Sequence, residues 1–153
     1  MALEIEKKFL LRDDRWREDV ERSVAMRQAY LGGDGVSVRV RFEGDQARLN
    51  IKQMRIGPSR HEFEYNIPLA DARRLMNMAN GGGTEKTRHY VRNGDLVWEI
   101  DEFEGDNEGL IVAEIELQSE DQPFEKPDWI GEEVTGEERY YNVALARRPF
   151  NKW

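Results

Sequence analysis

Same-sign charges spaced two residues apart, recurring in strand-like segments, constrain this chain more than any other feature. The N-terminal run 3–8 places Glu4, Glu6 and Lys8 at one parity. In a strand, alternate side chains point to opposite faces, so these three share a face. Arg48 and Lys52 share a parity four residues apart in 48–52, while Arg39 and Arg41 repeat the pattern in 38–42, as do Glu62 and Glu64 in 61–65. Lys86 and Arg88 do so in 85–88, Glu99 and Asp101 in 97–101, and Glu114 and Glu116 in 113–117. The other parity of most of these segments is apolar.

Alternation alone says that one face is apolar and the other polar. An ordinary solvent face, however, mixes polar types loosely. Here acids pair with acids and bases with bases, an arrangement that is unfavourable unless the charges serve a ligand. Two neighbouring carboxylates suit a divalent cation, because hard cations prefer oxygen ligands. Arginine forks and lysine ammoniums suit phosphate oxygens. A polar-lined barrel enclosing an anion and its metals needs both kinds of pair.

With 153 residues the chain is expected to form a single domain, 1–153. Its net charge of −8 disfavours a nucleic-acid partner. There is no cysteine, which excludes a disulfide frame and a thiolate site. The two histidines, His61 and His89, are too few for a His-rich zinc site. No segment approaches the ~20 apolar residues of a membrane-spanning helix, and no apolar leader precedes the first strand. The expectation is a cytoplasmic protein without a membrane partner. A homodimer is compatible with the sequence, which does not specify it.

The patterning predicts strands over 3–11, 24–31, 35–43, 46–54, 60–67, 84–92, 95–103 and 109–118. Turn signals separate them at 32–35, 43–45, 57–59 and 93–95. Residues 69–79 carry apolar groups at helical spacing, and glycines 81–83 stop that helix. Those glycines form a loop and not a phosphate-binding P-loop, since no Gly-Lys-Ser/Thr follows. Further helices are expected around 123–130 and over 137–147. Eight antiparallel strands can close into a small barrel.

The ordered set of charged motifs resembles the CYTH domain of the triphosphate tunnel metalloenzymes, in particular its short stand-alone bacterial members. The likeness is carried by Glu4-x-Glu6-x-Lys8, Arg27-Gln28-Ala29-Tyr30-Leu31, Arg39-x-Arg41, Lys52 and Glu62-x-Glu64. It continues through Glu85-Lys86-Thr87-Arg88, Glu114-x-Glu116, the segment 129–136 and Arg139-Tyr140-Tyr141-Asn142. The resemblance implies a mainly β, α+β fold: a closed eight-stranded antiparallel barrel with its charged faces inward, forming a tunnel, and helices 69–79 and 137–147 on its outer surface.

The resemblance also implies chemistry. Lys8, Arg39, Arg41, Lys52, Lys86, Arg88 and Arg139 would bind the phosphates of a small-molecule triphosphate. Glu4, Glu6, Glu62, Glu64, Glu114 and Glu116, with Asp101 as a further acid, would hold one or two Mg²⁺ or Mn²⁺ ions. Lys86 would stabilise charge on the transferring or leaving oxygens, and Tyr30 would orient Lys8 or a phosphate. The expected reaction is metal-dependent hydrolysis of inorganic tripolyphosphate. Alternatives are a class IV-type adenylate cyclase, a thiamine triphosphatase and a non-catalytic polyphosphate or nucleotide binder.

Overall fold

A computed structural model describes residues 3–32, 35–79 and 83–153. The strands are β1 (Leu3–Leu11), β2 (Val20–Gly32), β3 (Val36–Glu43), β4 (Gln46–Gln53), β5 (Ser59–Asn66), β6 (Gly83–Asn93), β7 (Leu96–Phe103), β8 (Ile111–Glu116) and β9 (Ile130–Glu133). Two α-helices, α1 (Leu69–Met78) and α2 (Asn142–Arg147), and four short 3-10 turns complete the chain. The expected turn residues Gly33 and Asp34, and Gly81 and Gly82, lie outside the described residues.

Every strand pairing is antiparallel, and the order β5-β4-β3-β2-β6-β7-β8-β1 closes on itself through β1 and β5. The closing register is Leu3↔His61, Glu4↔Arg60 and Ile5↔Ser59. The pairs Glu43↔Gln46 and Asn93↔Leu96 leave two-residue turns, and Gly44 and Gly94 supply the positive φ that such turns require. All eight expected strands form, with β2 starting four residues earlier than its pattern indicated.

The apolar parity faces outward, as the resemblance implied. On one side Phe9, Trp98, Ile100 and Ile115 pack with Trp16, from the 3-10 turn Arg15–Asp19, and with Trp129. Phe9, Trp98 and Phe124 meet edge to face at 5.6–6.0 Å. On another side Ala29, Val40 and Ala47 lie beneath Ala72 of α1. The outer face of β5 is left bare: Phe63 and Tyr65 are 46% and 54% exposed, opposite Ile51 and Leu49.

Three expectations are corrected. No helix forms over 123–130: Pro123 and Pro127 each lack a backbone donor, and Phe124 and Trp129 are pinned on the barrel wall instead. The same stretch leads into β9, which pairs with the end of β1 through Phe9↔Glu133 and Leu11↔Ile130. Four residues are too few for an alternating pattern to betray that strand.

The region 137–147 is not one helix. It is a 3-10 turn, Glu138–Tyr140, then an extended Tyr141, then α2. Nor does α2 lie on the outside. Leu145 packs with Phe103 and Val112. Phe103 shares parity with Glu99 and Asp101, and Val112 with Glu114, so both point inward. Leu10, at the parity of Glu6 and Lys8, joins this cluster. The α2 helix therefore stoppers part of one end of the barrel with an apolar plug.

Candidate active site

Period-2 alternation on eight strands brings the charged parity into one interior. The front part of that interior is a cavity of ≈ 770 Å³ lined by nine carboxylates and six cations. Its lining includes the β3–β4 turn and the later residues of β5 and β8. Strand register sets the contacts. Glu6 lies across from Glu116, and Lys8 across from Glu114, in the β1–β8 pair. Lys52 lies across from Glu62, and Arg88 across from Asp101.

The acids and bases are drawn onto one another. Lys8 Nζ donates to Glu114 Oε1 at 3.0 Å and stands 3.8 Å from Glu6. Lys52 Nζ bridges Glu62 at 2.9 Å and Glu4 at 3.2 Å, the latter off the direction of a hydrogen bond. Arg88 grips Asp101 with two donors at 2.7 and 2.9 Å and reaches Glu99 at 3.3 Å. Lys86 Nζ donates to Asp101 Oδ2 at 2.7 Å and to Asn142 Oδ1 at 3.2 Å. Arg41 Nε donates to Gln28 Oε1 at 2.8 Å. Arg48 and Asn50 each donate to Glu64 at 2.9 Å. Among the described residues Arg39 has no carboxylate partner, and its buried Nε has no hydrogen-bond partner.

These contacts shape the ionisation. Burial pushes the Glu6 carboxyl well above its ordinary range, and Glu114 and Glu4 push the same way. Burial also raises Glu116, reinforced by Glu4 and Glu99. Burial opposes the Glu114 charge, but Lys8 and Arg88 outweigh it and hold that carboxyl well below. Glu62 is likewise penalised by burial, yet Lys52 brings it down to about 2. Asp101, against the cost of its burial, is held at about 2 by Arg88 and Lys86. Burial lowers Arg41 to about 10, helped by Arg39 and Arg88.

Lys86 is pulled down to about 7 by burial, with Arg88 and Arg41 adding to it. It is lowered despite touching a carboxylate because Asp101 already shares its charge with Arg88.

The interior brings together most of the expected site. Glu4, Glu6, Glu62, Glu64, Glu114 and Glu116 line the front cavity with Arg39, Arg41, Lys52 and Arg88. Lys8 lines the adjoining chamber behind it. Lys86 and Asp101 are sealed beneath the surface, with Asn142 touching Lys86. Asp101 spends its oxygens on Arg88 and Lys86, so its place is that of a support for two cations rather than a free metal ligand.

One expectation fails on geometry and another is narrowed. Arg139 is exposed outside the tunnel, its guanidinium 5.1 Å from the ring of Tyr140 and 4.5 Å from that of Trp153. Tyr30 lines the rear chamber, but the ring near Lys8 Nζ, at 5.6 Å, is Tyr141. The interior also takes in residues to which the sequence assigned no role. Arg48 and Glu99 were placed on the charged faces only, and Glu43 and Arg60, which share parity with Arg41 and Glu62, carried the same signal of alternation. Asn142 carried none beyond its place in the Arg139–Asn142 motif. His61 is exposed, and His89 bridges Ser23 at 2.7 Å and Glu102 at 3.0 Å on the outer wall, so neither is a site residue.

The donor set fits a divalent cation in kind. Besides burial, Glu114 and Glu4 help to raise the Glu6 carboxyl, and Glu62 helps to raise that of Glu64. Carboxyls that oppose one another's ionisation in this way mark a place where a hard cation can bind. No three such groups converge at ligand spacing among the described residues. Lys8 stands between Glu6 and Glu114, and Lys52 between Glu4 and Glu62.

A CYTH domain model matches residues 2–149. The chain belongs to the CYTH family. Among curated relatives, this CYTH protein is similar to the inorganic triphosphatase of Acetivibrio thermocellus, 42% identical over all of this chain and 99% of that one. It is also similar to the inorganic triphosphatase of Nitrosomonas europaea, 36% identical over 94% of this chain and 96% of the relative. The crystal structure of the inorganic triphosphatase NE1496 superposes with a TM-score of 0.68 at 36% identity, covering 93% of this chain and 96% of that one. A Bacillus halodurans structure named after adenylate cyclase has a TM-score of 0.59 at 14% identity, covering 78% and 84%, and shares the fold alone.

Proposed function

We propose that this CYTH protein hydrolyses the terminal phosphoryl group of a triphosphate, with inorganic tripolyphosphate as substrate and phosphate and pyrophosphate as products. The observation that carries the reading is the pairing of an acid-rich wall with a wall of arginine and lysine in one closed barrel. Arginines alone suffice to bind an anion, so an anion binder has no use for nine carboxylates. The two relatives named inorganic triphosphatase support the same choice, spanning nearly the whole chain.

Arg39, Arg41, Lys52 and Arg88 would bind phosphate oxygens, the guanidiniums in bidentate fashion and Lys52 as a point charge. Asp101 would fix Arg88 and Lys86 in place. Lys8, held by Glu114, would sit beside the anion from the β1 side. Lys86, reached through Asn142, would put a positive charge toward the oxygen on which charge builds as pyrophosphate leaves. Glu4, Glu6, Glu114 and Glu116 on β1 and β8, with Glu62 and Glu64 on β5, would hold one or two Mg²⁺ or Mn²⁺ ions. Such an ion neutralises phosphate oxygens and lowers the pKa of a bound water. Neither nucleic acid nor membrane enters this reaction. A cytoplasmic setting and a homodimer belong to the proposal and are checked by cell fractionation and light scattering.

The test is a substrate panel with Mg²⁺ and with Mn²⁺, scoring phosphate, pyrophosphate and cyclic AMP separately. Tripolyphosphate should yield phosphate and pyrophosphate faster than ATP yields any product. Cyclic AMP from ATP, with tripolyphosphate left intact, would replace hydrolase by cyclase. Binding of both anions without turnover would leave a binder.

A further inference from the structure

Behind the front cavity lies a second chamber of ≈ 470 Å³, bounded by α2, the segment 53–56 and the ends of β1, β3 and β5. The two meet at Glu6, Arg39, Lys52 and Asn142, which line both. Their charges are opposite in balance. Nine carboxylates and six cations line the front, whereas seven cations and two carboxylates line the rear.

Five of the seven rear cations are unspent. Among the described residues no carboxylate pairs with Arg39, Arg55, Arg60, Arg147 or Arg148, while Lys8, Lys52, Arg41 and Arg88 are all engaged. Arg39 and Arg60 are only 5% and 7% exposed, and the Nε of each has no hydrogen-bond partner there. A buried donor without a partner is costly, which makes an acceptor in this chamber favourable. Arg60 is also held in position. Its Nη2 donates to the Gly57 carbonyl at 2.9 Å, and its guanidinium lies 4.8 Å from the Tyr141 ring. Gly57 N–H in turn donates to the Tyr141 hydroxyl at 3.2 Å. Arg55, Arg147 and Arg148 are exposed at the chamber's edge.

We propose that the rear chamber is an adjoining subsite for a metal-free phosphate anion, inorganic pyrophosphate, with Arg60 and the shared Arg39 at its base and Arg55, Arg147 and Arg148 at its rim. The reasoning is electrostatic. An anion chelated to divalent metal needs carboxylates as well as cations, and the front wall provides both. An anion without metal needs cations alone, and an acid-rich wall repels it. The triphosphatase reading supplies the source of that anion, but the site itself does not depend on it.

The experiment titrates pyrophosphate, in excess chelator, into the wild-type protein and into the triple variant Arg55→Ala/Arg147→Ala/Arg148→Ala, followed by calorimetry. A parallel assay measures pyrophosphate inhibition of tripolyphosphate hydrolysis with Mg²⁺. The wild type should bind pyrophosphate without metal, and the variant about tenfold or more weakly, with the inhibition constant rising alike. The variant's kcat and KM for tripolyphosphate should stay within about twofold, and its melting temperature should match the wild type, since the rim arginines are exposed. No binding by the wild type, or equal binding by the variant, overturns the subsite. A KM rise that matches the loss of pyrophosphate affinity also overturns it, since the rim would then attract any anion to one shared site. If no metal supports turnover, the triphosphatase reading fails while the calorimetry still decides the subsite.

Discussion

Lys86 Nζ lies 2.7 Å from Asp101 Oδ2, and both side chains are wholly sealed from solvent. The ammonium is nevertheless pulled down to about 7, since burial and two neighbouring guanidiniums outweigh a carboxylate already shared with Arg88. The folded state thus holds fewer protons on Lys86 than the unfolded chain between about pH 7 and the ordinary lysine value of 10.5. Stability contributed by this group is absent at low pH and rises as pH climbs through that window. The difference in melting temperature between wild type and Lys86→Met should therefore shift in favour of the wild type from pH 7 to pH 9.5. A flat difference would mean that Lys86 stays charged when buried.

The same group should respond to substrate. A polyanion stabilises the ammonium, so tripolyphosphate added in chelator at pH 8 should draw protons from solution, read as a buffer-dependent calorimetric enthalpy. Lys86→Met should remove that uptake. In turnover, Lys86→Ala should lower kcat more than it raises KM, because its charge matters most as pyrophosphate departs.

The glutamates should answer to metal. Glu6 and Glu116 are pushed up by burial and by neighbouring carboxylates. A divalent cation relieves that repulsion, so Mg²⁺ or Mn²⁺ should raise the melting temperature and release protons on binding. Chelation should abolish turnover and metal should restore it. Glu6→Gln and Glu116→Gln should each lose most of the rate, since each trades a charged oxygen ligand for a neutral one. Full activity in excess chelator would remove the metal from the reaction.

Alternation made much of this legible. A period of two is local, so Glu4, Glu6, Arg39, Arg41, Lys52, Glu62 and Glu114 could be placed on one face without knowing the fold. That the face turns inward came from the resemblance and not from alternation. Register was not legible, and register decides who pairs with whom: Asp101 reads as a metal ligand in isolation and as the anchor of Arg88 and Lys86 once β6 and β7 are aligned. The 3-10 turn and the extended Tyr141 that aim α2 into the barrel leave no periodic trace, which is why Arg139 was expected inside and Asn142 was not. The Phe124–Trp129 strap is held by tertiary contacts with Trp98 and Phe9, and composition alone made it look helical.

The apolar stopper gives a stability prediction. Leu145 is 1% exposed among Phe103, Val112 and Leu10. Truncation to alanine opens a cavity that rigid barrel walls cannot fill, so Leu145→Ala should cost about 2–5 kcal/mol in denaturant unfolding. A loss under about 1 kcal/mol would mean that α2 sits loosely in the barrel end.

Parity gives the sharpest contrast, because three neighbouring positions should behave in three ways. Arg41 faces the cavity, where Arg41→Ala should lose about tenfold to a hundredfold in kcat/KM through a missing charge-assisted contact, with the fold retained. Val40, next in sequence, points outward into the cluster beneath Ala72 of α1 and is wholly buried. Val40→Asp buries an unpaired carboxylate there and should cost several kcal/mol or prevent folding. Ile51 shares Val40's outward parity but lies on the bare side, across from the exposed Phe63. Its carboxylate variant can reach water, so Ile51→Asp should fold, with a loss of roughly 1 kcal/mol and near-native kinetics. Paired melting curves and kinetics on the three variants decide the matter. Wild-type kinetics in Arg41→Ala would make the charged faces ordinary solvent faces. Equal damage from Val40→Asp and Ile51→Asp would mean that something covers the outer face of β4 and β5.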